Sequence, residues 1–177
     1  MFKTETQTET LCGQLKMYET GMLITHVQPS GWHARPMALA QVDGRGDVWF
    51  ITGEDSAKIR EIEADASVLV VCQDGWTSCV TVEGRAELVR DHLQIRAVWK
   101  PGFKIWFPQG ADDPNIVLIH VIAEHAEYWD NTGMNHFTYL YESLKALAHD
   151  TTPTVKEGEQ HGQIILKQKT QERQRTI

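Results

Sequence analysis

The chain has 177 residues, the length of one ordinary globular domain. Hydrophobic residues make up 41% and charged residues 23%, which excludes disorder of the whole chain. The net charge of −7 argues against a nucleic-acid partner, because neutralising a phosphate backbone requires a basic surface. We find neither an apolar run of the roughly 20 residues that span a bilayer nor a signal peptide, and therefore expect a cytoplasmic protein without a membrane partner.

The first part of the chain predicts a helix and three antiparallel strands. Residues 1–10 are polar without periodicity, so we expect a mobile arm. Leu11, Leu15 and Tyr18 at helical spacing predict a short amphipathic helix before Gly21. Three runs rich in β-branched and aromatic residues follow, separated by Pro/Gly turns, and predict a hairpin and a third strand that ends near Thr52.

The second part predicts three more strands and a few short helices. We expect helices over 57–64, 90–99 and 137–147, and strands over 66–73, 77–89 and 116–129. Gly84 inside a strand indicates a bulge or a close backbone approach. The sequence thus predicts a mainly β (α+β) fold, a six-stranded antiparallel split barrel over 11–149, with a flexible tail over 150–177.

The cysteines and histidines do not favour a metal site. Cys12, Cys72 and Cys79 are odd in number and lack paired spacing, so we expect buried reduced thiols. His120 and His125 are five residues apart on a predicted strand, which places them on opposite faces unless a bulge intervenes. We therefore expect no metal ligands.

One candidate anion site lies where the third strand turns into a helix. Thr52 ends the strand, and Ser56 and Lys58 lie at the helix N-terminus, so hydroxyls, backbone N–H groups and one ammonium converge there. This is a geometry suited to phosphate. The plainer interpretation is that Ser56 caps the helix and Lys58 is solvated.

A second candidate is Arg35, beside Pro36 in the second strand. Proline removes a hydrogen-bond donor from the strand, so something other than a neighbouring strand is expected against this backbone. Arg35 suits an anionic or carbonyl-rich ligand, and its plainer role is a surface ion pair.

Five parts of the chain, taken in order, form a pattern more specific than any one of them. They are Ala34–Met37, Trp49–Thr52 followed by Ser56–Lys58, Val68–Val71, Val82–Ala86 and Glu127–Trp129. In this order and spacing, residues 9–145 resemble the general stress protein branch of the pyridoxamine 5′-phosphate oxidase-like family, whose members bind flavin mononucleotide (FMN) on a split β-barrel.

The resemblance implies a set of flavin-binding residues and a homodimer with two equivalent sites between protomers. It places Arg35 and the Met37 backbone near the ring or ribityl chain, Thr52 and Ser56 on the phosphate, and Lys58 as its counter-charge. Phe50 and Trp129 complete the implied cofactor-binding set, with Trp129 lining the ring pocket. The aromatic stretch Trp99, Phe103, Trp106 and Phe107 is either packing or one wall of that pocket across the dimer.

The leading functional hypothesis is an FMN-dependent oxidoreductase of stress physiology, with hydride transfer at flavin N5 and a small-molecule electron donor or acceptor. FAD is also compatible, and no catalytic side chain is identifiable. The alternatives are a flavin carrier or redox sensor with little turnover, and a haem- or deazaflavin-binding relative. The region after Tyr128 lacks the Arg-x-His element of the vitamin-forming oxidases, which argues against pyridoxamine phosphate oxidation.

Overall fold

Seven strands and three α-helices account for most of the structure, a computed structural model that describes residues 2–27, 29, 31–75, 78–130 and 161–166. The elements are α1 Phe2–Leu15, β1 Thr20–Val27, β2 Gly31–Val42, β3 Val48–Gly53, α2 Ala57–Ala64, β4 Ser67–Asp74, β5 Ser78–Val89, α3 His92–Val98, β6 Ile116–Asp130 and β7 His161–Ile165. Two 3₁₀ helices, Pro101–Ile105 and Gly110–Asp112, lie between α3 and β6. The predicted helix over 137–147 falls outside the described residues.

The first six strands form a closed antiparallel barrel. Their order is β3-β2-β1-β4-β5-β6, and pairing of β3 with β6 closes the sheet, which confirms the predicted six-stranded barrel. The long strand β6 pairs with β5 along one edge. Its other edge is divided, since residues 116–121 pair with β3 and residues 125–129 pair with β7. None of the described helices is long and apolar enough to cross a membrane.

The two chain ends differ from the sequence prediction. Helix α1 begins at Phe2, so most of the predicted arm over 1–10 is helical, and the helix ends at Leu15 rather than continuing to Tyr18. Within the predicted tail, residues 161–165 form β7. Leu11 and Leu15 of α1 are fully buried, as is most of Ile164 of β7. These contacts with the barrel core supply a stability that local sequence does not encode.

The apolar residues divide between two cores on the two faces of the barrel wall. The inner core contains Leu23, Phe50, Val70 and Val82, all fully buried, together with Ile62 of α2. The outer core lies between the wall and the segment from α3 to the second 3₁₀ helix, and it contains Ile51, Ile95, Phe103 and Leu118. Because side chains alternate along β3, Phe50 faces the inner core and Ile51 the outer one.

Gly84 lies at a bulge, as the sequence predicted. The register between β5 and β6 shifts at Glu83/Gly84, where Glu83 pairs with His125 and Gly84 with Ala123. A Cβ atom at Gly84 would lie 2.0 Å from the carbonyl oxygen of Ile122. Only glycine permits this approach of the two backbones.

The bulge also corrects the expectation for His120 and His125. On β6 the residues in the inner core are Ile119, Val121 and Ala123 before the bulge, and Ala126 and Tyr128 after it. The alternation therefore changes phase at Glu124, so His120 and His125 both face away from the inner core. The expectation that the two histidines lie on opposite faces was wrong, because the bulge that it named as an exception is present.

The described cysteines are free thiols, as expected from the sequence. Cys12 and Cys72 are buried and Cys79 is partly buried. Burial, with a smaller contribution from the neighbouring Cys79, raises the pKa of Cys72 to about 12. The Cys72 side chain therefore stays protonated and acts as a small apolar residue of the core.

Candidate functional site

A cleft of about 230 Å³ lies on the outer face of the barrel beside the start of α2. Strand β2 supplies Pro36, Met37 and Ala38, the end of β3 supplies Ile51, Thr52 and Gly53, and Lys58, Trp106 and Phe107 complete the lining. Three of the seven implied cofactor-binding residues, Met37, Thr52 and Lys58, thus lie in one cleft. One side of the cleft is apolar and aromatic, and the other carries hydroxyl and ammonium groups.

The polar side of the cleft consists of three groups in contact. Lys58 Nζ donates to Thr52 Oγ1 at 3.0 Å, and Thr52 Oγ1 lies 3.2 Å from Ser56 Oγ. Ser56 is the N-cap residue of α2, but its hydroxyl makes no capping hydrogen bond. The plainer interpretation, in which the Ser56 side chain caps the helix, therefore does not hold. The Ser56 hydroxyl and the Lys58 ammonium instead both contact Thr52 Oγ1.

Lys58 is an unusual cation because it is half-buried without a carboxylate partner. Within the described residues no ion pair involves Lys58. Burial lowers the pKa of its ammonium, the nearby charge of Arg35 lowers it further, and Glu61 acts in the opposite direction. The charged form therefore gains stability from any anion that enters the cleft.

Arg35 does not line this cleft. Its guanidinium donates to Thr25 Oγ1 and to Glu61 Oε2, and Glu61 also contacts His33 Nδ1 at 3.0 Å. Thr25 is fully buried and the Glu61 side chain is 10% exposed. The network joins α2 to β1 and β2 and so fixes the helix that carries Lys58. Arg35 acts on the cleft through its charge and through Glu61.

Glu61 should contribute stability in a pH-dependent way. Burial alone would raise its pKa, but hydrogen bonds from Thr25, His33 and Arg35 outweigh burial and lower the pKa below the ordinary 4.5. The Glu61 carboxylate therefore contributes its full stabilisation above pH 4.5. This stabilisation is lost as the pH falls through the lowered pKa. We expect Glu61→Gln to reduce the free energy of unfolding by about 1.5 kcal/mol at pH 7 and by much less in acid.

Urea unfolding of both proteins at pH 7 and in acid measures this difference. Glu63→Gln is the matched control, since Glu63 lies on the same helix, is half-exposed and, among the described residues, makes one ion pair at 3.6 Å, with Arg90. A difference that persists unchanged in acid would contradict the role given to the Glu61 charge.

Besides Arg35, two further implied residues lie away from the cleft. The Phe50 side chain is fully buried in the inner core and offers no surface to a ligand. Trp129 is 37% exposed near the end of β6, paired with Cys79 and His161, whereas Thr52 pairs with Val117 near the beginning of that strand. Within one chain, Trp129 and the cleft therefore lie at opposite ends of β6.

Trp106 and Phe107 line the cleft of their own chain. Sequence analysis offered packing or a wall of the ring pocket across a dimer for these aromatic residues; the structure shows packing for Phe107, and the wall across a dimer stays a prediction. Phe107 is buried in the outer core and Trp106 is 61% exposed at the rim. The signal for this arrangement was the aromatic spacing between Trp99 and Phe107, but only the shared core of Phe103 and Phe107 with Ile51 of β3 brings the pair beside Lys58.

A second polar cluster escaped sequence analysis. Ligand atoms of Asp43, Asp47 and His120 lie within 4.8 Å of one another. His120 contacts Asp47 at 3.0 Å and stacks on Trp49 with ring centroids 3.8 Å apart. Burial would raise the pKa of Asp47, but hydrogen bonds from His120 and the Ala123 amide lower it. The Arg45 guanidinium lies within 3.2 Å of both carboxylates and supplies the positive charge there.

One protein-family model matches most of the chain. Residues 6–154 match the family model described as pyridoxamine 5′-phosphate oxidase like. The protein bli-3 of Neurospora crassa is 28% identical over 118 residues, which cover 60% of this chain and 56% of that protein. The chain thus spans little more than half the length of this relative.

Solved structures show the same fold. A general stress protein 26 from Jannaschia sp. covers 92% of this chain and is itself covered to 99%, with a TM-score of 0.68 and 24% identity. A protein from Xanthomonas citri described as a general stress FMN/FAD binding protein gives a TM-score of 0.58 and 28% identity, covering 73% of this chain and 89% of its own. At 24% identity the first likeness concerns the fold alone.

Proposed function

Because the chain belongs to the pyridoxamine 5′-phosphate oxidase like family, we propose that its cleft binds FMN and that the loaded protein is an oxidoreductase. The observation that carries the proposal is Lys58, a half-buried ammonium without a carboxylate partner in the described residues, held beside the hydroxyls of Thr52 and Ser56. A flavin phosphate is a dianion that such a set of donors suits. The first-turn amides of α2 add further donors for it.

The remaining lining suits the flavin ring. Pro36, Met37, Trp106 and Phe107 offer apolar and aromatic surface next to the phosphate site. Bound FMN supplies hydride chemistry at its N5 atom, and the protein contributes binding, orientation and electrostatics. Pro36 has no backbone N–H to donate to a neighbouring strand. On the side of β2 that faces the cleft, the backbone at Pro36 and Met37 is therefore left for contacts with a ligand.

A flavin carrier or redox sensor is the second candidate. Among the described residues that line the cleft, Lys58 is the only one that titrates in the physiological or alkaline range. A site without a separate acid or base suits storage or sensing as well as hydride transfer. The two functions differ in whether a donor reduces the bound flavin faster than free flavin.

The test is a visible absorption spectrum of the purified protein after incubation with FMN and desalting. About one flavin per chain is expected, followed by anaerobic reduction with nicotinamide donors at a rate well above that of free FMN. Retained flavin without accelerated reduction by a panel of donors would favour the carrier. A protein that retains no flavin would contradict both functions.

The same proposal includes a homodimer whose second copy covers the rim of the cleft. Trp106 lines the cleft and is 61% exposed, and its chain neighbour Ile105 is 78% exposed, so two large apolar side chains lie together on the surface beside the cleft. A dimer would also allow Trp129 of one copy to lie near the cleft of the other. The distance between Trp129 and the cleft within one chain favours this arrangement.

We expect light scattering after gel filtration to give twice the chain mass. Ile105→Glu should shift the protein toward monomer, because a charge would be buried at the interface. Met17→Glu is the matched control, since Met17 is 69% exposed and lies away from the cleft. A wild-type monomer, or equal behaviour of the two variants, would contradict the proposed interface.

A further inference from the structure

Two aspartates and a histidine meet where the turn between β2 and β3 reaches β6. Asp43 and Asp47 stand at the two ends of that turn, and His120 pairs with Trp49 across β3 and β6. Ligand atoms of Asp43, Asp47 and His120 lie within 4.8 Å of one another. We call these three residues the turn cluster. The cluster lies at the beginning of β3, whereas the cleft lies at the end of that strand, so the two sites are separate.

The backbone holds one oxygen of each carboxylate in the turn cluster. Asp43 Oδ1 accepts from the amides of Arg45 and Asp47, at 2.8 and 3.1 Å. Asp47 Oδ1 accepts from the Ala123 amide at 3.1 Å. The Oδ2 atoms are therefore the ones directed to other partners. Hydrogen bonds of this kind orient the carboxylates that bind metal ions and reduce the rearrangement that binding requires.

His120 brings a nitrogen donor to the cluster in a fixed orientation. Its ring stacks on Trp49, with centroids 3.8 Å apart and 7° between the planes. Its Nε2 atom lies 3.0 Å from Asp47 Oδ2, and only 9% of the residue is exposed. One imidazole nitrogen together with two carboxylate oxygens is a ligand set that Zn²⁺ and other divalent transition metals accept.

Arg45 marks the position that a cation takes in the cluster. One terminal guanidinium nitrogen lies 3.2 Å from Asp43 Oδ2 and 3.1 Å from Asp47 Oδ2. Both carboxylates thus direct their charge to a single point. The Arg45 side chain is 74% exposed, so it can turn into solvent without disturbing the core and open that point to a metal ion.

The charges around the cluster favour a divalent ion over the arginine alone. With a neutral imidazole, Arg45 compensates only one of the two carboxylates. Glu87, an exposed residue of β5, pairs with His120 across the strands and adds another negative charge nearby. Asp47 is 3% exposed, and a buried carboxylate without full compensation is costly. A divalent ion balances both aspartates at one point.

We propose that the turn cluster is a binding site for a divalent transition metal, with His120 Nε2 and the Oδ2 atoms of Asp43 and Asp47 as its ligands. Water completes the coordination, and Arg45 moves aside when the metal enters. The bound ion ties the turn between β2 and β3 to β6. The proposal does not rest on flavin binding. Sequence analysis compared His120 with His125 and missed this set, because Asp47 is 73 positions away from His120.

Calorimetric titration of untagged, EDTA-treated protein with Zn²⁺ tests the proposal, with Mn²⁺ as a second probe. We expect one site per chain, weakened at least about tenfold in Asp43→Asn and in His120→Gln. Both substitutes keep a hydrogen-bonding group for the partners of the native side chain. Arg45→Ala removes the competing cation and should bind up to about fivefold more tightly. The matched controls Asp55→Asn and His125→Gln, at exposed positions, should bind as wild type does.

Thermal unfolding with added metal and with EDTA gives a second readout. An ion that binds only the folded chain raises the unfolding temperature. We expect this metal-dependent rise in wild type and in Arg45→Ala, and its loss in Asp43→Asn, where each protein is compared with itself in EDTA. The proposal is overturned if neither metal binds wild type or Arg45→Ala. It is equally overturned if Asp43→Asn and His120→Gln bind as tightly as wild type.

Discussion

Replacing Lys58 with alanine is expected to weaken FMN binding about ten- to a hundredfold, the range for losing a hydrogen bond to a charged group. The half-buried ammonium has Thr52 as its hydrogen-bond partner among the described residues, so an entering phosphate would become its counter-ion. Riboflavin has the same ring without the phosphate, and its affinity should change little. Titrations of both flavins, followed by fluorescence, separate an effect on phosphate binding from damage to the ring pocket.

The pH dependence of FMN binding offers an independent check on Lys58. Burial, and then repulsion by Arg35, place its pKa below the ordinary value of 10.5. FMN affinity should therefore fall as the pH rises through this lowered pKa, because the deprotonated amine no longer attracts the phosphate. The decline should disappear in Lys58→Ala and persist in the control Lys16→Ala. An identical alkaline decline in Lys58→Ala and wild type would remove Lys58 from the phosphate site.

Gly84→Ala is expected to cost about 3 kcal/mol of unfolding free energy or more, at the upper end for overpacked sites. The added Cβ would lie 2.0 Å from the Ile122 oxygen and 2.9 Å from the Ile122 carbonyl carbon. Both are backbone atoms of β6, so relief requires a shift of the strand rather than rotation of a side chain. The bulge would open, and the pairing of β5 with β6 would weaken on both sides.

Denaturant unfolding measures this cost, and Gly44→Ala is the matched control. A Cβ at Gly44 meets nothing within 4 Å, and its backbone is not in the left-handed region. This control should change stability by no more than about 0.5 kcal/mol. A Gly84→Ala protein within 1 kcal/mol of wild type would mean that the two strands separate more easily than their register indicates.

The elements with strong local patterns were predictable from sequence. Short strands joined by turns, with few and short helices between them, indicated an antiparallel barrel, and α2 lies at the predicted residues 57–64. The end of α1 was predicted from Leu11 and Leu15, but its residues 2–10 and strand β7 were not, because these residues are mostly polar and their order depends on contacts with the barrel core. Gly84 was the exception among irregular features, since a glycine inside a strand is itself a local signal.

The candidate site was predictable in its chemistry more than in its geometry. Thr52, Ser56 and Lys58 converge as their spacing indicated, because a strand end and a helix start bring them together. For Arg35 the sequence left open a ligand contact or an ion pair, and the structure pairs it with Glu61, a residue 26 positions away that no local pattern connects to it. Tertiary contacts of this kind require the fold, as does the position of Trp106 and Phe107.

The divided edge of β6 gives strand β7 a protective role. Residues 125–129 of β6 lie beyond the part that pairs with β3, and they pair with β7 instead. A protein shortened at residue 149, the domain boundary that composition favours, would keep its barrel but leave these amides and carbonyls open to the strands of other molecules. Such open edges are starting points for aggregation. Strand β7 thus protects this edge of β6 from pairing with other molecules, a role that is separate from any cofactor and that an assay of the cleft does not measure.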